Sequence, residues 1–408
     1  MAKKTYELTP RDVLFFRDAR PMDVDKSRTA EIFNVGHGAN WPRPDQLFSA
    51  VIHELIRNPD APERDWYGSV SDLHVTGPFP LLKDNGEDKL YLPMPLDWDM
   101  NLVEFDTSVG VTDIPLPLTA GFADRVVEKK SYPRWISLDD YKRYLEGRVG
   151  EGKKEDEADC PENGDARLHL PEPRCGTTLS AETGASRRTA GRYESGQYAA
   201  EYLRLGRDAK MLCEIETEKA GELEQRMVRF GGQGGLVRFT PAKTGLAASL
   251  ASLPGGVRTR FVRWTLLTPA LFAKGWYPNW LEETEADGRT GKVMLPADKV
   301  LRRRGESRAA YRARMKAECH PFETAKLIAA CIGKPLAFSG YDSKDGEKPT
   351  ELAVPAGSGY VFACESEAEA ENLFKVLHLK PLSDLGEKGL GLGVCSYVAA
   401  PKPFTARS

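Results

Sequence analysis

The chain has 408 residues, 41% hydrophobic and 29% charged, with a formal net charge of −3. That is the composition of a globular chain long enough for two cores. It excludes a disordered chain and a uniformly basic, nucleic-acid-coated surface, so any RNA contact has to come from local arginine clusters. No run of about 18 apolar residues is present to span a membrane, the N-terminal residues lack the apolar core of a signal peptide, and the expected location is cytoplasmic.

Residues 4–16 predict one or two strands broken at Pro10, because Thr5, Tyr6, Leu8 and Val13-Leu14-Phe15-Phe16 are β-branched, aromatic or apolar. Arg17-Asp18-Ala19-Arg20-Pro21 follows. It reads either as a solvated strand end with an Arg–Asp pair or as two phosphate contacts. After an irregular loop, Pro44 to about Arg57 predicts a helix. Pro44 suits the first helical position, and Leu47, Val51 and Leu55 mark its buried face. The free amides at its start, with Arg43 beside them, offer a phosphate site; Trp41 and Pro42 are expected to staple the chain onto the helix.

Strand fragments follow at Leu73-His74-Val75 and Leu90-Tyr91-Leu92. The prolines among them suggest sheet edges or extended connections. Residues 147–166 form a charged insertion without apolar periodicity, expected to be a surface loop. Gly184 to Tyr193 carries Arg187, Arg188 and Arg192 in a Gly/Ser/Thr setting, with Tyr198 and Tyr202 beyond it. Arginines bind phosphates in bidentate fashion and tyrosines stack on bases, so this is the best nucleic-acid patch by composition. Packing of the two tyrosines against a sheet is the plainer reading.

Residues 211–215 predict a strand and 217–229 a helix, with Ala220, Leu223 and Met227 on one face. Then comes Phe230-Gly231-Gly232-Gln233-Gly234-Gly235, flanked by Arg229 and Arg238 and followed by a strand over 236–241. Glycines leave no side chain between backbone amides and a ligand such as RNA.

The pattern restarts after Pro254-Gly255-Gly256, placing a domain boundary between 254 and 255. A strand is predicted over 258–268, then an excursion over about 275–318 containing Arg302-Arg303-Arg304. A helix is predicted over 322–332 and strands over 335–341 and 358–364. Ser366-Glu367-Ala368-Glu369 is a capping box opening a helix to about Leu379. A second glycine loop, Gly386 to Gly393 with Gly389, Gly391 and Gly393, leads into a final strand over 394–399. The second half thus spells βαββαβ, and both halves end in helix, glycine loop, strand. The expected fold class is α+β, as tandem ferredoxin-like (RRM-like) domains over 1–254 and 255–408.

The seven cysteines are scattered and form no C-x-x-C pair, which argues against a disulfide framework and a zinc site. The glycine loops fit neither a phosphate-binding G-x-x-x-x-G-K-[ST] loop nor a dinucleotide fingerprint. No catalytic or metal motif is present, and none of either is expected, nor a cofactor. His37, between two glycines, is the one histidine placed like an acid–base catalyst, but no partner lies near it in sequence.

Several stretches, in order, resemble the Cas-five-like RAMP subunit of the type III-B CRISPR effector, the third subunit of the Cmr complex. They are Phe15 to Pro21, Trp41-Pro42-Arg43-Pro44, Phe230 to Gly235, Thr268 to Trp276, Phe338-Ser339-Gly340-Tyr341-Asp342, Val354 to Ser358 and Gly389 to Gly393. The resemblance implies two RRM-like domains and binding of the 5′ tag of a CRISPR RNA. It also implies docking against the large signature subunit and a backbone subunit in a hetero-oligomer, and no catalysis. Arg17, Arg20, Arg43, Arg187, Arg188, Arg192 and Arg238 are then expected to hold RNA together with Gly231, Gly232, Gln233, Gly234 and Gly235. Gln233 stands where the family often has an acidic residue, and the 147–166 insertion is long. Three alternatives stay open: an endoribonuclease processing precursor CRISPR RNA through His37, a scaffold without RNA contact, and the equivalent subunit of a sister type III complex.

Overall fold

The computed structural model describes residues 2–18, 34–55, 73–104, 118–121, 132–149, 165–177, 197–283, 291–295, 306–318, 320–339, 341–342, 346–347 and 349–401. It is an α+β structure with mostly antiparallel sheets. The N-terminal half builds a seven-stranded sheet from β1 (Lys3–Pro10), β2 (His74–Asp84), β3 (Glu87–Pro93), β4 (Trp135–Ser137), β5 (Ala209–Glu216), β6 (Met227–Arg229) and β7 (Leu236–Pro241). Their spatial order is β6-β7-β1-β5-β2-β3-β4. The C-terminal half builds a six-stranded sheet from β8 (Phe261–Leu266), β9 (Leu281–Glu283), β10 (Gly291–Leu295), β11 (His320–Cys331), β12 (Gly359–Ala363) and β13 (Gly393–Tyr397). Their order is β9-β10-β11-β12-β8-β13.

The two sheets share a pattern. In the run β7-β1-β5-β2, as in β13-β8-β12-β11, the last strand of the set pairs with the first, the first with the third and the third with the second. Every pairing is antiparallel. One helix follows the first strand in each set: α1 (Pro44–Leu55) in the N-terminal half and α4 (Arg308–Glu318) in the C-terminal half. Helices α2 (Leu138–Leu145) and α3 (Leu246–Ala251) lie outside this repeat, while α5 (Glu367–Leu377) precedes β13.

The helices form where the sequence predicts at α1 and α5. Leu47, Val51, Ile52 and Leu55 of α1 pack with Tyr6, Leu8, Met211, Ile215 and Phe239 on one face of the sheet. Ser366 caps α5 by accepting from the Glu369 N–H at 3.2 Å. The Glu369 carboxylate does not complete the capping box; it accepts instead from the Thr324 N–H at 3.0 Å and ties the helix to β11. Ala370, Leu373 and Leu377 join Val262, Trp264 and Phe362 in the C-terminal core.

Three predicted elements take other forms. Residues 217–229 are a 3-10 turn at Ala220–Leu223 followed by β6, not a helix. Ala220 and Leu223, three apart, are both buried on a 3-10 turn as they would be on an α-helix. Gln225 then takes a φ of 59°, which no helix continues through. Residues 320–331 are the strand β11, not the predicted helix. Ala325, Leu327 and Ala329 are buried with the period of a strand, and a register shift between Leu327 and Ala329 blurs the alternation. Strand β2 lies inside its sheet rather than at an edge despite Pro78 and Pro80, where a register shift in β5 between Leu212 and Glu214 loosens the ladder. The excursion after residue 275 contributes β9, β10 and α4.

The halves meet over a shared apolar layer in which Phe79, Leu81, Leu92, Tyr144 and Leu145 pack with Leu267, Leu392 and Val394. At its centre, Arg263 of β8 donates to the Asp97 carboxylate at 3.2 Å, to the Tyr144 carbonyl at 3.2 Å and to the Ser396 hydroxyl at 3.2 Å. The guanidinium lies 3.8 Å from the Tyr144 ring centroid, and the Tyr144 hydroxyl donates to Asp97 at 2.6 Å. Burial pushes the Tyr144 phenol well above its ordinary range, so it stays a donor. No helix among the described residues is long and apolar enough to cross a membrane.

Candidate nucleic-acid interface

The first glycine loop is the turn of the β6–β7 hairpin, not a helix-to-strand connection. Its ends are tied by the Phe230 N–H donating to the Gly235 carbonyl at 2.9 Å, and the Gly232 N–H donates to the Phe15 carbonyl at 2.7 Å. Phe230 is fully buried edge-on against Phe16, ring centroids 4.9 Å apart. The close backbone approach that the glycines permit is therefore made, at Gly231, by protein: a Cβ there would sit 2.5 Å from the Phe15 carbonyl oxygen, at a φ of 79°.

The segment after β1 connects this loop to two others. Leu14 exchanges backbone hydrogen bonds with Leu203 of the strand Gln197–Leu205 at 2.9 and 2.7 Å. The Asp18 N–H donates to the His37 carbonyl at 3.0 Å and the Ala39 N–H to the Phe16 carbonyl at 2.6 Å. Gln197–Leu205 pairs along its length with His169–Thr177, and this pair of strands is anchored beside the glycine loop. The anchor is ionic and aromatic. Arg174 and Arg204 both bridge Glu172 and Asp12, and Tyr202 packs on Phe15 with ring centroids 5.3 Å apart. The Arg174 guanidinium, with Arg204, holds the Asp12 carboxyl below its ordinary value, and Arg204 with Arg174 does the same for Glu172.

Beyond Gly231 to Gly235 of the loop itself, the predicted site residues fall into four groups. Arg17 and Arg238 are exposed beside the loop, and neither makes an ion pair among the described residues. Arg20, Arg187, Arg188 and Arg192 lie outside the described residues. Arg43 is occupied: its guanidinium pairs with Asp45 at 3.0 and 3.2 Å and lies over the Phe338 ring at 4.4 Å, which joins the two halves. Gly389, Gly391 and Gly393 are buried at the seam. A Cβ at Gly389 would meet the Val75 carbonyl oxygen at 2.5 Å, and one at Gly393 would overlap the Trp264 indole. The second glycine loop therefore packs protein against protein, unlike the exposed first one.

Sequence reasoning passed over Arg11, and placed Arg229 beside the loop without counting it among the RNA contacts. The Arg11 N–H donates to the Leu236 carbonyl at 2.9 Å, and Arg229 pairs directly with Leu236 across the hairpin. Both are exposed and without an ion pair among the described residues. Directly paired residues share a sheet face. Arg229, Leu236, Arg238 and Met227 therefore stand together on the face opposite the core residues Val228, Val237 and Phe239. The outward alternation of Arg238 with buried Val237 and Phe239 was the available signal. Four arginines thus stand around one loop without an ion-paired carboxylate among the described residues, an arrangement suited to phosphate oxygens. A separate cleft of about 530 Å³ lies at the seam, lined by Trp41, Trp98, Tyr132, Arg134 and Trp135 from one half and Thr268 from the other. The Trp41 indole N–H donates to the Pro78 carbonyl at 2.8 Å, fixing one wall.

Comparison with solved structures returns low-identity likenesses. A structure of Type III-B Cmr-beta bound to cognate target RNA covers 95% of this chain and 95% of its own at 12% identity and a TM-score of 0.47. Another, bound to cognate target RNA and AMPPnP, covers 88% and 86% at 14% identity and 0.46. A Csm1–Csm4 cassette in complex with cA3 covers 70% and 82% at 14% identity and 0.28. No curated protein matches the sequence. Residues 6–395 match the model of a family of CRISPR-associated proteins, Cas_Cmr3, and the chain belongs to that family.

Proposed function

We propose that the chain is a non-catalytic, RNA-binding subunit of a type III-B CRISPR effector. In this reading it holds the repeat-derived 5′ tag of the CRISPR RNA and docks the large signature subunit onto the backbone filament within a cytoplasmic ribonucleoprotein. The observation that carries the RNA contact is the group of exposed arginines, Arg11, Arg17, Arg229 and Arg238, around the first glycine loop. Arg229 and Arg238 sit on paired strands, and Arg11 and Arg17 on the segment that is tied to them by backbone hydrogen bonds, so the backbone spacing of the four is held. Phosphate contacts of this kind position a strand without reading it. Family membership supplies the CRISPR context.

Each half is read as a ferredoxin-like domain, and the shared order of four antiparallel strands supports it. In the N-terminal half the second helix of that motif is reduced to the 3-10 turn Ala220–Leu223. The aromatic cleft at the seam suits an unpaired base, since single-stranded RNA is gripped by stacking as well as by charge.

The test is RNA binding by the Arg229→Ala/Arg238→Ala chain as salt is raised. Two lost phosphate contacts on a single strand lower the slope of log affinity against log salt by about 1.4. An unchanged slope and affinity removes this face from the RNA path.

A further inference from the structure

One residue of the first glycine loop has no architectural reason to be what it is. Gly231, Gly232 and Gly235 are held against Phe15, Phe230 and Leu14. Gly234 turns the chain at a φ of 74° with nothing within 4 Å of its missing Cβ. Gln233 also lies in the left-handed region, at a φ of 55°. For a residue with a side chain that conformation is disfavoured, and glycine adopts it freely. The loop thus carries a strained residue at the position where its neighbours show that glycine would serve the backbone better. Such strain persists where a side chain is wanted for function.

The surroundings say what the side chain faces. Gln233 is exposed and makes no side-chain hydrogen bond among the described residues. It is the single side chain that the turn between Phe230 and Leu236 presents, and Arg229 and Arg238 flank it on the hairpin. Arg17 is two residues beyond the Phe15–Gly232 bridge. Arginines of this kind bind phosphates and are indifferent to sequence, whereas a carboxamide offers a donor and an acceptor side by side and no charge. Against a base edge, glutamine matches adenine, donating to N7 and accepting from the N6 amino group. The hairpin holds the loop from both ends, so the backbone that carries the amide has little conformational freedom to lose.

We propose that Gln233 reads the edge of an unpaired base, with preference for adenine, in the RNA strand whose phosphates the surrounding arginines hold. This rests on the RNA-binding reading above and adds the residue that gives it sequence discrimination.

The experiment uses the purified full-length chain and a set of labelled single-stranded oligouridine RNAs in which one adenine is walked along the strand. Affinities are measured for the parent, for Gln233→Gly and for Arg229→Ala/Arg238→Ala. The parent is expected to favour adenine at one position by roughly five- to a hundredfold, the range of one good two-point base contact. Gln233→Gly loses that preference, keeps the salt slope of the parent and melts at a higher temperature, because the left-handed strain is gone. A preference that survives Gln233→Gly overturns the proposal, as does a parent without positional preference. Equal weakening on every RNA with a shallower salt slope also overturns it, because Gln233 would then be a phosphate contact. These outcomes leave the arginine reading standing, provided Arg229→Ala/Arg238→Ala flattens the salt slope. If the parent binds none of these RNAs, both readings fall.

Discussion

Removing the Asp97 carboxylate should loosen the seam between the halves more than any other single polar change. Asp97 and Arg263 side chains are each 10% exposed and meet at 3.2 Å. In Asp97→Ala the guanidinium keeps the Tyr144 carbonyl, the Ser396 hydroxyl and the Tyr144 ring, none of which carries a neutralising charge. An unpaired buried charge of this kind destabilises by about 3–5 kcal/mol. The Tyr144 hydroxyl, now without its carboxylate acceptor at 2.6 Å, keeps the Thr265 hydroxyl at 3.2 Å. The total is a large fraction of the roughly 5–15 kcal/mol that holds most folded proteins together. Asp97→Asn keeps the shape and an acceptor and should cost less, about 1.5–3 kcal/mol, the range for a hydrogen bond to a charged group. Asp97→Leu/Arg263→Met leaves no buried charge, and it should be less destabilised than Asp97→Ala alone. Urea unfolding of the four chains measures these differences. A cost for Asp97→Ala below about 1 kcal/mol, or a double variant less stable than the single, refutes the account of Arg263 as a buried charge neutralised across the seam.

Two further outcomes follow from the loop and the C-terminal core. Gly231→Ala should destabilise by about 2–3 kcal/mol, since its Cβ would meet the Phe15 carbonyl oxygen at a φ of 79°, and Gly234→Ala, in open space, by about 1 kcal/mol; equal melting temperatures for the two would show that the loop is not braced on Phe15. Burial pushes the His378 imidazole down from 6.5 to about 4, while its Nδ1 accepts from the Cys395 N–H at 3.1 Å. The folded state thus favours the neutral ring, and the stability present above the unfolded value is lost as pH falls from about 6.5 toward 4. Allowing for its partial exposure, about 1–2 kcal/mol should go by around pH 5, and His378→Gln should flatten the urea midpoint over that window.

What the sequence makes legible here depends on whether burial repeats at one unambiguous spacing. Helix α1 shows Leu47, Val51 and Leu55 four apart between a proline start and Asn58-Pro59, and α5 shows a capping serine; neither pattern has a rival interpretation. Leu327-Ile328-Ala329-Ala330-Cys331-Ile332 is apolar throughout, so its period is erased and a buried strand passes for a helix. Helix α4 fails in the opposite direction: only Tyr311 and Met315 are buried within a charged run, and two residues do not make a stripe. Arg263 and Asp97, 166 residues apart, leave no local mark on either side, because a charge buried by a distant half has the same neighbours in sequence as one in water.

The glycine loops carry the same difficulty into the candidate site. Glycine in sequence says only that a side chain is unwelcome, not what takes its place. At Gly389 and Gly393 the space is taken by Val75 and Trp264, and the loop is part of the seam. At Gly231 and Gly232 it is taken by Phe15, on a turn whose outer surface is exposed. The loop that could meet RNA is therefore distinguished by what is not glycine in and around it. Arg229 and Arg238 face outward from a hairpin whose alternate residues are core, and Gln233 occupies a conformation that costs it something to hold. On the proposed reading, the glycines need not touch the ligand; they brace the turn on Phe15, and so fix the backbone from which four arginines and one amide would meet the strand.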